Sequence, residues 1–246
     1  MDKYLFESDY SSDALRWTKL IDERQIKPNP YSKDKTGYNP EELEKLQNYI
    51  IKENDAALAC FCAMEFSYKI HRMQKVVLDQ KDVRYSFLFA QNVKGCDIPL
   101  LQKVILDSKK AKYICKFACF VKSADRKPLE SFILKSKNVK YAHMYLKHVK
   151  GVDVSKFKNI ILASGKPRYL FELARHLTDD KDIAAVEDLI IQSGSFTYIK
   201  LFAEKIKRAN VEKLEQAVLD TDNSAEIKKF AKYVRRSRMR RFFLVM

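Results

Sequence analysis

Residues 81–108 read KDVRYSFLFAQNVKGCDIPLLQKVILDS and residues 109–136 read KKAKYICKFACFVKSADRKPLESFILKS, two segments of 28 residues with aromatic and branched residues at matching places. Aligning Tyr85 with Tyr113 brings Tyr141, Tyr169 and Tyr198 into the same column, at successive offsets of 28, 28, 28 and 29. Four residues after each tyrosine stands a bulky side chain, at Phe89, Phe117, Tyr145, Leu173 and Phe202. Four further on come Val93, Val121, Val149, Leu177 and Ile206. That spacing is one face of a helix.

The second half of each unit repeats too, as Ile98/Leu101/Ile105, Leu129/Ile133, Val154/Phe157/Ile161, Ile183/Val186/Ile190 and Val211/Leu214/Val218. Asp97, Asp125, Asp153, Asp182 and Asn210 precede this second helix, where a side-chain oxygen caps an unpaired N–H. Gly95 and Gly151 stand two residues earlier, where the first helix needs a left-handed exit. In the unit that starts at Lys109, Ser123-Ala124 replaces the glycine. Ser108, Ser136, Ser164, Ser193 and Thr221 open the link to the next unit. Each unit therefore reads helix, tight turn, helix, short link. The pattern extends outward through residues 53–80, with Phe61, Ile70, Met73 and Val77, and through residues 222–246, with Phe230 and Val234 on a first helix and Met239 and Phe242 on a second. Helices from Ser12 to Gln25 and from Pro40 to Ile51 form an N-terminal helical cap over residues 1–52. Short helix pairs cannot bury their apolar faces alone and do so by stacking. The expected fold is all-α, a right-handed α-solenoid of about seven 28-residue helix pairs over residues 53–246, starting near 53, 81, 109, 137, 165, 194 and 222.

Bulk composition agrees. A chain of 246 residues with 46% hydrophobic content can bury a continuous core, and only 5 Gly and 6 Pro argue against turn-rich folds and phosphate-binding glycine loops. No apolar run reaches the roughly 18 residues of a membrane span, and the N-terminus lacks the pattern of a secretory signal. The expected setting is intracellular, in a reducing cytoplasm. Five cysteines, with Cys60, Cys62, Cys115 and Cys119 inside apolar helical segments, fit free thiols acting as small hydrophobes.

The unit Tyr-x3-Phe-Ala-x2-Val-Lys-Gly-x-Asp-Ile-x2-Leu-x3-Ile, best preserved at residues 85–105, resembles repeat arrays of large-genome phages and viruses. In architecture it resembles the HEAT and armadillo helical-repeat class, whose units are longer. The resemblance covers roughly residues 53–246 and implies an α-solenoid with a binding surface and no catalytic residues. It places the chain in a virion or host cytoplasm if viral.

The residues themselves offer no catalytic set. There is no glycine-rich phosphate loop, His-Glu-x-x-His zinc motif or nucleophile elbow, and His71, His143, His148 and His176 are scattered. Cys60/Cys62 and Cys115/Cys119 lie within first helices, whereas structural zinc usually takes one pair from a turn. No enzyme activity, metal, cofactor or small-molecule substrate is expected.

Charge is the informative feature. The net charge is +15, yet residues 1–52 hold 9 basic against 10 acidic side chains, residues 109–164 hold 14 against 3, and residues 222–246 hold 8 against 2. Lys94, Lys122, Lys150, Lys207 and Arg235 fall at the ends of first helices, where the helix dipole alone accounts for a cation. Arg84, Lys109, Lys110, Lys112, Lys137, Lys140, Lys166 and Arg168 fall in or just before the first turn, where the dipole opposes a cation by a few tenths of a kcal/mol. Helix starts with free N–H groups and adjacent cations bind anions, so these residues are the candidate nucleic-acid-binding set. Arg235, Arg236, Arg238, Arg240 and Arg241 form a second candidate patch, for which a solvated final helix is an equal explanation. The tyrosine column is able to stack bases, although its helical register favours packing. The expected activity is non-enzymatic binding of DNA or RNA through phosphates. The alternative is a protein scaffold or adaptor, for instance in viral assembly, that meets an acidic protein surface along the same edge.

Overall fold

A computed structural model describes residues 11–24, 26 and 38–243, with side chains through Tyr233. Among the described residues the chain is all-α, with no strand. Backbone contacts divide it into two units, Met1–Phe132 and Ile133–Met246.

The first unit holds α1 (Ser11–Glu23), α2 (Pro40–Glu53), α3 (Ala56–Phe66), α4 (Ile70–Gln80), α5 (Val83–Asn92), α6 (Ile98–Asp107) and α7 (Ala111–Phe120). Helix α8 (Arg126–Ser136) lies at the division between the units. The second unit continues with α9 (Val139–His148), α10 (Ser155–Leu162), α11 (Pro167–Ala174), α12 (Asp180–Gln192), α13 (Phe196–Lys205), α14 (Val211–Leu219) and α15 (Ser224–Phe243). In the first unit α3, α5 and α7 pack side by side, and α2, α4 and α6 pack along them. In the second unit α9, α11, α13 and α15 make the row, with α10, α12 and α14 each against a neighbour in it. Both units thus repeat one pattern of helix pairs.

The bulky residue expected at the centre of each first helix is the core. Phe89, Phe117, Leu173 and Phe202 are 0% exposed and Tyr145 is 1% exposed. Burial of such a side chain is worth about 1.5–3 kcal/mol relative to exposure. Helix α1 covers α3: Trp17 sits with ring centroids 6.4 Å from Phe61 and 5.9 Å from Phe66, and its Nε1 donates to Glu65 at 2.7 Å.

Polar residues fix the spacing between pairs. On α4, Gln74 donates from Nε2 to the Asp97 carbonyl at 2.8 Å and accepts the Asp97 N–H at 2.8 Å. On α6, Gln102 makes the same two bonds to Asp125, both at 2.9 Å. Each buried amide therefore clamps the backbone residue that begins the next second helix. Gln47 of α2 reaches the Tyr68 carbonyl at 2.6 Å, Lys158 reaches Asp182 at 2.8 Å, and Glu187 accepts the Asn210 N–H at 2.8 Å. These residues directly follow a buried apolar one in every case: Leu46, Met73, Leu101, Phe157 and Val186.

Turns behave largely as read. Gly95 and Gly151 have φ of 79° and 73°. The turn at Ser123-Ala124 closes with no left-handed residue, through the Ala124 N–H on the Val121 carbonyl at 3.3 Å. Asp97, Asp125, Asp153 and Asn210 accept first-turn N–H groups of the following helix. Asp182 does not: α12 starts earlier and is capped by Asp179, which leaves Asp182 in the first turn to hold Lys158. The last segment also departs from expectation. Residues 224–243 form one helix rather than a pair, because α15 runs unbroken for 20 residues across the place of the turn. No Gly, Pro, Asp or Asn stands between Phe230 and Phe243 to stop it.

Candidate nucleic-acid interface

From α7 onward each link into a first helix is built around a hydroxyl. Ser108 Oγ donates to the Ile105 carbonyl at 2.6 Å and accepts the Lys110 N–H at 3.1 Å. Ser136, Ser164, Ser193 and Thr221 repeat both bonds. The residue inside this bracket is left-handed, and is Lys109 (φ 53°), Lys137 (φ 49°), Gly165 (φ 59°), Gly194 (φ 64°) or Asp222 (φ 54°). Lys109 and Lys137 therefore close the end of the preceding second helix, through N–H bonds to Leu106 and Leu134. They stand one residue before the N-caps of α7 and α9 and at the same time next to the negative end of the helix they follow, so the dipole cost of these two cations is offset. A left-handed Lys still costs about 1 kcal/mol relative to glycine at the same place.

The other cations do stand at helix starts. Lys110 and Lys166 occupy the N-cap positions of α7 and α11, and neither makes a side-chain cap bond. Ser195 likewise leaves α13 without one. By contrast, Asp82 caps α5 with bonds to the Arg84 and Tyr85 N–H groups at 2.8 and 3.3 Å, and Asn138 caps α9. A carboxylate at the start of α5 already supplies the negative charge its dipole attracts.

The row differs between units. In the first, Arg84 is paired with Asp82 at 3.3 Å and lies 5.3 Å from the Tyr85 ring centroid. The Asp82 hydrogen bond raises its pKa further. Lys112 lies 5.7 Å from the Tyr113 ring and Lys116 5.9 Å from the Phe87 ring. Local cation–π and ion-pair contacts therefore account for part of the row without any ligand. A cleft of about 600 Å³ opens here between the starts of α3, α5 and α7, and α1 reaches into it: Arg16 pairs with Asp55 at 2.7 Å and Tyr85 donates its hydroxyl to Asp13. Asp13, Glu53, Asp55 and Asp82 line it beside Arg16, Lys81, Arg84 and Lys110, a balance of charge that gives an anion little net attraction.

In the second unit Lys137, Lys140, Lys166 and Arg168 are exposed, and among the described residues none of them makes an ion pair or a cation–π contact. His143, on α9, carries a pKa below the ordinary imidazole value, through burial first and then through Lys147, Arg168 and His148, against an opposing effect of Glu172. The side chains of Arg235, Arg236, Arg238, Arg240 and Arg241 lie outside the described residues. Lys94, Lys122, Lys150 and Lys207 follow directly on the C-caps Val93, Val121, Val149 and Ile206, where the dipole favours them.

Cys60 and Cys62 are buried on α3, and burial pushes the Cys62 thiol up to about 12 and Cys60 upward as well. Cys115 and Cys119 hydrogen-bond within α7, which raises the Cys115 pKa. Among the described residues no three His, Cys, Asp or Glu side chains are grouped to hold a metal ion, and no helix is long and apolar enough to cross a membrane. Compared with known protein families, with curated proteins and with solved structures, the chain has no match.

Proposed function

We propose that the chain is a non-enzymatic α-solenoid binding protein whose partner is a polyanion, a nucleic-acid phosphate backbone, held along the starts of the first helices in the second unit. The observation that carries this reading is the pair Lys166 and Arg168 at the start of α11, exposed, without an ion pair among the described residues and beside an N-cap that makes no side-chain bond, with the exposed Lys137 and Lys140 at the start of α9. A cation in the first turn, such as Arg168, works against its own helix dipole, and an external anion removes that cost. Pro167 has no N–H, and Tyr169 and Leu170 bond to the Lys166 carbonyl, so the cations rather than backbone donors carry the attraction. Phosphates suit the repeat because packed helices recur about every 8–10 Å, so equivalent cations meet a chain of charges rather than one.

The test is salt-dependent binding to labelled DNA and RNA at low ionic strength. Affinity on duplex DNA should fall with salt at a log-log slope of about −0.9 per phosphate neutralised, and changing Lys140 and Arg168 to Gln should make the slope shallower by about 2. Changing Lys150 to Gln, at the favourable dipole end, should leave the slope unchanged and cost a few tenths of a kcal/mol in stability. Absence of any salt-dependent binding by the unmodified protein would sink this reading and leave an acidic protein surface as the partner.

A further inference from the structure

The tyrosine that begins each first helix occupies two different environments. Tyr85 and Tyr113 are 3% and 8% exposed, and each has a cation near its ring. Tyr141, Tyr169 and Tyr198, at the same place in the second unit, are only partly buried. Each of the last two is braced from the side by a ring two residues past the preceding tyrosine column: His143 stands 5.1 Å from Tyr169 and Phe171 stands 6.2 Å from Tyr198, both at an interplanar angle of 51°. The bracing ring limits the tyrosine's motion, each tyrosine remains partly exposed, and the exposed Lys166 and Arg168 stand at the same helix start as Tyr169.

We propose that the second unit binds single-stranded nucleic acid, with one base stacked on Tyr169, the next on Tyr198, and the intervening phosphates on Lys166 and Arg168. This rests on the polyanion reading above and narrows it. A partly exposed aromatic row offers nothing to a duplex, whose bases are paired and stacked about 3.4 Å apart with their faces inaccessible. It offers much to a single strand, because every base has a π-face and stacking on an aromatic side chain is tolerant of sequence. Spacing favours the same choice. Helices in a packed row recur about every 8–10 Å, so two bases on successive tyrosines must be unstacked from each other, which only a flexible strand allows.

The experiment compares fluorescence anisotropy of labelled oligothymidylate and of a duplex of the same length, with poly-glutamate as a protein-like polyanion. The single strand is expected to bind more tightly than either. Tyr169→Leu and Tyr198→Leu should each weaken oligothymidylate binding by about five- to a hundredfold, as stacking losses of this kind do, with an unchanged salt slope because a neutral ring releases no counterion. Tyr169→Phe keeps the ring and should bind as the unmodified protein does. Circular dichroism melting identifies any variant that has lost its fold, and the Phe variant keeps the comparison available if the Leu variants unfold, since a ring-independent site would then show equal binding to duplex and single strand. Folded Leu variants that bind normally, or equal affinity for duplex or poly-glutamate, overturn the proposal. If the unmodified protein binds none of the three, the polyanion reading itself fails; if it binds all three alike, only the single-strand inference does.

Discussion

Truncating Phe117 to Ala is expected to lower the stability of the chain by about 3–5 kcal/mol, measured as a shift in the urea midpoint followed by far-ultraviolet circular dichroism. Phe117 is 0% exposed in the middle of α7, which packs against both α5 and α6. Removing a ring from such a site loses the transfer free energy of its atoms and leaves a cavity that its neighbours close only in part. Natural domains have a margin of about 5–15 kcal/mol, so the variant should sit near the edge of folding at ambient temperature. The exposed Lys109 provides the contrast: it touches no core, and Lys109→Gly at a left-handed residue should be neutral or slightly stabilising. A loss below about 1 kcal/mol for Phe117→Ala would mean that the 28-residue register has been misassigned.

Much of the fold was legible because hydrophobic periodicity carries it. The column Phe89, Phe117, Tyr145, Leu173 and Phe202 is the buried centre of five helices, and the hydroxyl at the start of each link does recur as a structural bracket. What escaped reading was polar. Gln47, Gln74 and Gln102 share one column with Glu130, Lys158, Glu187 and Glu215, so the residue type changes while the place does not. A polar residue on an amphipathic helix reads as solvated, and only its recurrence directly after a buried apolar residue distinguishes a clamp from a surface side chain. The start of α12 was misplaced for a related reason. Asp179, Asp180 and Asp182 are all able to cap; Asp179 does so, while Asp180 meets Arg208 and Asp182 holds Lys158, two residues on other parts of the chain.

The cation row was legible as a pattern and only half legible as a site. Its recurrence is plain in the sequence, but whether a given cation is committed locally depends on its neighbours. Arg84 has Asp82 two residues away and a tyrosine next to it, and both engage it. Arg168 also has a tyrosine next to it, yet among the described residues no ring contact with that tyrosine forms. Side-chain direction at a helix start separates the two cases, and it follows from packing that a one-dimensional pattern does not contain.

Replacing Gln102 by Ala is expected to cost about 2–4 kcal/mol, because it strips both the N–H and the carbonyl of Asp125 of their partners at once. Gln102 is 6% exposed, so water does not readily take over either bond. The second unit contains the natural contrast. Glu187, 2% exposed, takes the same place, accepts the Asn210 N–H, and as a carboxylate has no proton to give the neighbouring carbonyl. Burial raises its pKa above the ordinary glutamate value, with the Asn210 N–H and Lys213 opposing that rise and Asp188 adding to it. The sign follows directly. A carboxyl group whose folded pKa is raised stabilises the fold below its unfolded pKa of about 4.3, and that stability is lost as the pH rises through the folded value. Glu187→Gln should therefore raise stability near neutral pH by about 1 kcal/mol, by restoring a two-bond clamp without a buried charge, and should lose its advantage in acid, where Glu187 is itself protonated. Urea titrations of Gln102→Ala and Glu187→Gln at neutral and acid pH read both effects. A Gln102→Ala loss under about 1 kcal/mol, or a Glu187→Gln variant less stable than the parent at neutral pH, would show that these polar residues follow the helix packing rather than set it.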